Sequence, residues 1–430
     1  MQLNAIMNTV TRNDVFVAGG QPSVTYVNRG HLGLERALDK AVDQNCIIVS
    51  LTGATKCGKT VLCHRVLRHR EYVWIDGGQV RSEADVWQKI CSELGQASEI
   101  QISEKIEIEG KLGGEVGLNA PLGSGPSIKI TSGGSRLKVR ENITTQRPDP
   151  MHTAIENLLK ENITLVIDDF HYIDESNKSK ILKSIKGSVF RGLKVILLST
   201  PNRAFEAIKA EVEITGRFKH VEVPVWSKDD LATIANSGFK ALNVQCPDKF
   251  TNEFVNESQS SPLLMQQFCY NLCYEADIIS NKIFLQFISE TINIQKIFME
   301  VANDAGLPVY KSLSAGPQTR TDRIDRPLLS GGAVDIYQAI LYAISATGPK
   351  EKLSYNEIRT SLGNILSDKI PQKLEVSNAL KHLAEKDSKD NKTHRSIDWD
   401  PADMELTITD PFFRFYLRWA IYPKTKGERL

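Results

Sequence analysis

Residues 53–60 read GATKCGKT. Gly53, Ala54, Thr55, Lys56, Cys57, Gly58, Lys59 and Thr60 fit the spacing G-x-x-x-x-G-K-[ST], with Val61 following. Backbone amides in such a loop cradle a polyphosphate, the lysine reaches its β- and γ-phosphates, and the hydroxyl ligates Mg²⁺. Lys59 and Thr60 hold those two positions. A second chemical signal lies about a hundred residues on, where ITLVIDD (163–169) ends an apolar run in two carboxylates. Asp168 is placed to hold Mg²⁺ through water beside Thr60, and Asp169 to polarise an attacking water.

Two further positions invite chemistry. The run LKVILLS (193–199) ends in Ser199-Thr200, with Asn202 close behind. Its polar groups face a γ-phosphate if this strand lies between the other two motif strands; a plain strand-ending turn is the alternative. Gly216-Arg217-Phe218 precedes the last strand. Arg217 there can neutralise transition-state charge on a phosphate, in its own chain or a neighbour's, or it is an ordinary surface or ion-paired arginine.

These residues need a scaffold. CIIVSL (46–51) has the pattern of a buried strand and TVLCHRVLRH has helical spacing, so the loop joins a strand to a helix N-terminus. From 46 to about 225 strands and helices alternate, which predicts a parallel α/β sheet. A lead-in at 15–32 carries strand and turn signals. Residues 101–145 break the order with a Gly-rich alternating stretch, expected as a β-hairpin or small β-insert, or else a disordered loop. Helical patterns fill 228–307, a polar linker with RTDRIDRP spans 308–333, and 334–430 reads as a small α+β unit. The expected division is thus 1–227 for the core with its lead-in, 228–307 for a helical lid, 308–333 for the linker and 334–430 for the last unit.

The bulk numbers exclude little. In 430 residues, 53 Lys and Arg balance 52 Asp and Glu to a net charge of +1, so no global charge draws the chain to nucleic acid or membrane. The opening residues lack a basic stretch followed by an apolar core, and no apolar run approaches the roughly 18 residues of a membrane span. A cytoplasmic protein is expected. The seven cysteines include no C-x-x-C pair, which predicts packed free thiols.

The succession of phosphate loop, paired acids, polar strand end, GRF, helical segment with Ser261-Pro262 and C-terminal unit resembles the AAA+/STAND branch of P-loop ATPases. IDDFHYID resembles the STAND and archaeal-type members in particular. The resemblance implies a parallel α/β P-loop core followed by a helical lid and a winged-helix domain, with ATP and Mg²⁺ between core and lid. It implies that Tyr26, Val27 and Arg29 lie on the adenine side and that Pro262 belongs to a G-x-P motif touching the nucleotide. The chain departs from that motif, with Ser260 in place of the glycine, and SPLLMQQFCYN offers no counterpart of the lid arginine. Arg320, Arg323 and Arg326 are alternative trans-sensing groups, or part of a solvated linker. Assembly as a homo-oligomer is implied as well.

The C-terminal unit has a winged-helix pattern: helices at 335–346, 354–362 and 371–386, then strands SIDWD and MELTITD around KDSKDNKTHR. A DNA-reading version would use Lys373 and Lys381 on the third helix, with Lys389, Lys392 and Arg395 in the wing. Residues 331–430 hold 15 Lys and Arg against 14 Asp and Glu, interleaved. That balance favours a protein-contact or autoinhibitory module over DNA. The expected function is an ATP-dependent switch acting through partner proteins, as in prokaryotic anti-phage systems. A DNA-associated ATPase of initiator or transposition-regulator type is the first alternative. A weakly hydrolysing scaffold is the second.

Overall fold

The structure is a computed structural model that describes residues 9–95, 101–109, 138–146, 149–200, 216–317, 323–390 and 395–425, the second and third of these stretches by their backbone alone. Asn202, Arg203, Arg320 and Lys392 lie outside the described residues. After a short helix α1 (Arg12–Val15) and helix α2 (Leu34–Asp43), the core alternates strands and helices. They are β1 (Ile48–Gly53), α3 (Lys59–Leu67), β2 (Tyr72–Asp76), α4 (Glu83–Glu93), a β3–β4 insert, α5 (Pro150–Lys160), β5 (Thr164–Asp168), α6 (Glu175–Phe190), β6 (Val195–Ser199) and β7 (Phe218–Val223).

Five strands form one parallel sheet in the order β2-β5-β6-β1-β7. Alternation explains why their sequences are apolar throughout. Leu165, Ile167, Val195 and Leu197 pack on α4–α6, while Val166, Ile196, Leu198, Val49 and Leu51 pack on α2 and α3. A sheet covered on both faces has no polar side to show in sequence. Strand β6 lies between β1 and β5, which brings the ends of all three motif strands to one edge.

The insert is a two-stranded antiparallel ladder, β3 (Gln101–Glu109) with β4 (Lys138–Gln146), in register from Gln101↔Gln146 to Glu109↔Lys138. The lead-in differs from expectation, for no strand forms in 15–32. Gly19 takes φ +86°, and the preceding residues pair with another part of the chain. The Arg12 amide donates to the Ile279 carbonyl, and the Asn281 amide to that of Val10. The lead-in is a strap between the helical segment after 228 and the core.

Helices α7 (Lys228–Ala241), α8 (Asp248–Glu257), α9 (Pro262–Glu275) and α10 (Ile294–Ala315) follow. The helical pattern expected throughout 228–307 is interrupted ahead of α10, which begins only at Ile294. Residues before it run extended, with the buried Gln286 amide donating to the carbonyls of Leu242 and Ser280. The expected boundary at 307 falls inside α10, which runs past Pro308. Gly306 lets this helix meet Tyr416 so closely that a Cβ would stand 2.1 Å from the Tyr416 Cβ.

The last unit comprises α11 (Ile336–Ala346), β8 (Lys352–Ser354), α12 (Tyr355–Ile365), α13 (Lys373–Asp390), β9 (Ile397–Asp400), β10 (Glu405–Ile408) and α14 (Pro411–Tyr416), with an antiparallel sheet ordered β8-β10-β9. It does not stand apart. Phe254, Phe268 and Phe298 of the helical segment stack with Phe415 and Trp419 in one continuous core. The bidentate ion pair Arg418–Glu257 closes its rim. Arg323 pairs with Asp335 and Arg326 with Glu375, so these two arginines tie the linker to the last unit rather than lying solvated. Among the described residues no helix is long and apolar enough to cross a membrane. All seven cysteines are free thiols, five of them buried.

Candidate nucleotide site

The loop 53–60 turns between β1 and α3 by using left-handed backbone at Lys56 (φ +60°) and Gly58 (φ +96°). Gly53 is needed for space, since a Cβ would sit 2.7 Å from the Cys57 Sγ and 2.8 Å from the Val223 carbonyl oxygen. The Trp226 indole donates to the Cys57 carbonyl at 2.8 Å. Lys59 is buried at the start of α3, where its Nζ donates to the carbonyls of Gly53 and Ala54, both at 2.9 Å. Those oxygens hold the amine at the loop, within reach of an anion seated there.

Thr60 Oγ1 donates to Asp168 Oδ2 at 2.9 Å across 108 residues, and Asp168 Oδ1 accepts from the Asp169 amide. This joins the two sequence signals directly. Burial pushes the Asp168 carboxyl up, opposed by the Thr60 and Asp169 hydrogen bonds and by Lys59. Asp169 is pushed up to about 7, first by burial and next by the Asp168 charge; Asp76 adds to the rise and Lys59 opposes it. A carboxylate in that range is suited to proton transfer near neutral pH.

Asp76 and Gly77 escaped the sequence reading. Asp76 ends β2 opposite Asp168 in the parallel register, and its carboxylate accepts from the Gly78 amide. His64 was missed too: it stacks on Trp74, hydrogen-bonds Tyr72 through Nδ1, and is lowered from its ordinary pKa by burial. The sequence signal for Asp76 and Gly77 was the YVWIDG strand end, an acid followed by glycine at the level of the paired acids; His64 carried none.

Around these groups lies a cavity of about 580 Å³, walled by Lys56, Lys59, Thr60, Asp168, Asp169 and, from the helical segment, Pro262. Next to it a smaller space of about 70 Å³ is lined by Tyr26, Val27, Arg29, Val61, Trp226 and Pro262. Arg29 is buried there, with Nη1 donating to the Pro224 carbonyl at 2.9 Å and its guanidinium 4.6 Å above the Trp226 ring. It builds the wall. Tyr26 donates to Glu35 at 2.8 Å under the Arg65 guanidinium. Ser260 takes φ +57°, the left-handed backbone a glycine would supply in G-x-P, and Ser261 caps α9 ahead of Pro262. The Gln266 amide on α9 donates to Thr25 of the strap at 2.8 Å.

Ser199 is buried opposite Thr52 at the end of β6; its neighbour Thr200, not Ser199, lines the cavity. Arg217 lies elsewhere. Phe218 pairs with Ile48 at the start of β1, while the phosphate loop follows Gly53 at its end, roughly 17 Å away at the rise of a strand. Arg217 stacks on the exposed Phe190 at that far edge, so a role on its own chain's phosphate is excluded by distance.

Residues 42–208 match the family model described as an AAA domain. The structure is similar to the Walker-type ATPase of Pyrococcus abyssi, with TM-score 0.53 and 13% identity over 92% of this chain and 99% of that one. It is similar also to the ADP form of the ORC2 protein of Aeropyrum pernix, with TM-score 0.51 and 13% identity over 97% of this chain and 99% of that one. The chain has an AAA+ P-loop ATPase fold. A comparison with curated proteins gave no match. The donor set of this site suits Mg²⁺, since Thr60 and Asp168 present hydroxyl and carboxylate oxygens at one point. Among the described residues no group of three or more His, Cys, Asp or Glu could hold a metal alone.

Proposed function

We propose that the chain binds and hydrolyses ATP with Mg²⁺ between its α/β core and helical lid, and works as a nucleotide-dependent switch. The Thr60–Asp168 hydrogen bond carries this reading, because it assembles a Mg²⁺-ligating pair at the mouth of the phosphate loop. Lys59 and the loop amides bind the phosphates, Thr60 and Asp168 hold the metal, and Asp169 orients water for attack on the γ-phosphate. Arg217, set on the far edge of the sheet, serves a neighbouring subunit's site. The lid contributes Pro262 and Gln266, so its angle to the core follows the bound nucleotide. Output passes through partner proteins, as in STAND ATPases of anti-phage systems.

The C-terminal unit we read as a winged helix that makes protein contacts. In support, Arg395, only partly exposed, lines a cleft of about 270 Å³ against Tyr172, Thr200 and Glu222 of the core. On its third helix Lys381 and Lys386 lie against Glu385 and Asp390. In the DNA-associated alternative the same unit would read DNA.

ATP hydrolysis measured with and without Mg²⁺, then with duplex DNA across a salt series, tests both. Mg²⁺-dependent turnover indifferent to DNA is expected. Turnover stimulated by DNA, with salt-dependent binding, would replace the switch by the DNA-associated reading.

A further inference from the structure

Lys56 belongs to the phosphate loop, yet the C-terminal unit holds its amine. Nζ donates to both carboxylate oxygens of Asp410, at 2.8 and 2.9 Å, and lies 4.5 Å from the Phe412 ring centroid. The two side chains retain 25% and 13% exposure, so solvent screens this pair less than a surface pair. Asp410 also caps α14, accepting from the Phe412 amide at 2.8 Å, and the rest of α14 is buried. The fold therefore fixes where the carboxylate stands.

Lys56 and Lys59 are both in the wall of the 580 Å³ cavity. Each gives its protons to protein oxygens, Lys59 to loop carbonyls and Lys56 to Asp410. Two further contacts bind the same unit around the cavity. The Arg395 amide donates to the Tyr172 hydroxyl at 3.3 Å, and Arg414 Nη2 to the Gln259 carbonyl at 2.8 Å. Of these three contacts, the one to Lys56 sets a full negative charge against a place where polyphosphate would sit.

We propose that Asp410 competes with nucleotide phosphate for Lys56, so that filling the phosphate loop and docking the C-terminal unit upon it oppose each other. An arriving polyphosphate repels the Asp410 carboxylate and takes the Lys56 amine. Linkage makes the effect reciprocal: the factor by which nucleotide weakens docking is the factor by which docking weakens nucleotide binding. The inference rests on the reading of this cavity as a nucleotide site.

The test titrates the full-length protein with a fluorescent ATP analogue and Mg²⁺. Asp410→Asn removes the charge and keeps a cap acceptor, and Asp410→Ser does so with a different shape. Both variants are expected to bind about 3- to 10-fold more tightly than the wild type, the range of a half-buried ion pair. In the wild type, added nucleotide should speed amide exchange over 411–416. Unchanged or weaker binding in either variant, or unaltered exchange, overturns the proposal while leaving the nucleotide site standing. No binding by the wild type or either variant overturns the nucleotide reading itself, and this inference with it.

Discussion

Gly77 lies against the main chain of Asp169, so close that a Cβ would stand 2.7 Å from the Asp169 carbonyl oxygen and 2.8 Å from that of Asp168. The neighbours are backbone and cannot swing aside. Gly77→Ala is therefore expected to displace the paired acids and to cost on the order of 1–3 kcal/mol of stability, the usual range for overpacking. Denaturant unfolding measures the loss, and hydrolysis should fall in parallel.

The Asp169 carboxyl gives a pH signature. Its pKa is raised in the fold, from the ordinary 3.8 to about 7. The folded state thus keeps a proton that the unfolded state has released, and this contribution to stability, present in full below about pH 4, is lost as pH rises through about 7. Asp169→Asn removes the burden of a desolvated charge. Thermal unfolding without nucleotide should show the variant gaining on the wild type from pH 5 to 8, ending a few degrees above it.

Among the described residues the Lys59 amine hydrogen-bonds the loop carbonyls of Gly53 and Ala54, so its loss should leave the fold intact. Lys59→Ala is expected to weaken ATP binding by roughly tenfold to a hundredfold, as for a lost charge-assisted hydrogen bond. Calorimetric titration with ATP checks it, and thermal unfolding without nucleotide should stay unchanged.

Arg217 provides the test of assembly. Arg217→Ala should bind ATP normally yet lose at least about a hundredfold in turnover, in line with arginines that neutralise phosphoryl-transfer charge. Mixing it with Lys59→Ala should restore part of the activity, because a subunit with an intact phosphate loop then meets a neighbour with an intact arginine. Inert mixtures would make Arg217 a surface residue stacked on Phe190.

Much of the site was legible because its chemistry is local. GATKCGKT needs only its own loop, and the strand ends beside it announce Asp168 and Asp169. What escaped depends on pairing between distant segments. Asp76 joins the site only because β2 lies beside β5, and Asp410 meets Lys56 across 354 residues. The lead-in has strand-like composition but forms no strand, because Thr25 and Arg29 bond instead to Gln266 of the helical segment and to the Pro224 carbonyl. The boundary at 307 was drawn beside Pro308, a residue that ordinarily ends a helix. There α10 continues because its packing on Tyr416 outweighs the break.

Single-turnover hydrolysis of radiolabelled ATP by Asp169→Asn, with Mg²⁺, tests the central claim most directly. The wild type is expected to cleave bound ATP, and the variant to keep ATP bound while cleaving it at least ~100-fold more slowly, the scale of a lost general base. Cleavage at the wild-type rate by Asp169→Asn would contradict the role given to Asp169, and cleavage by neither protein would contradict the assignment of this site as a hydrolytic one.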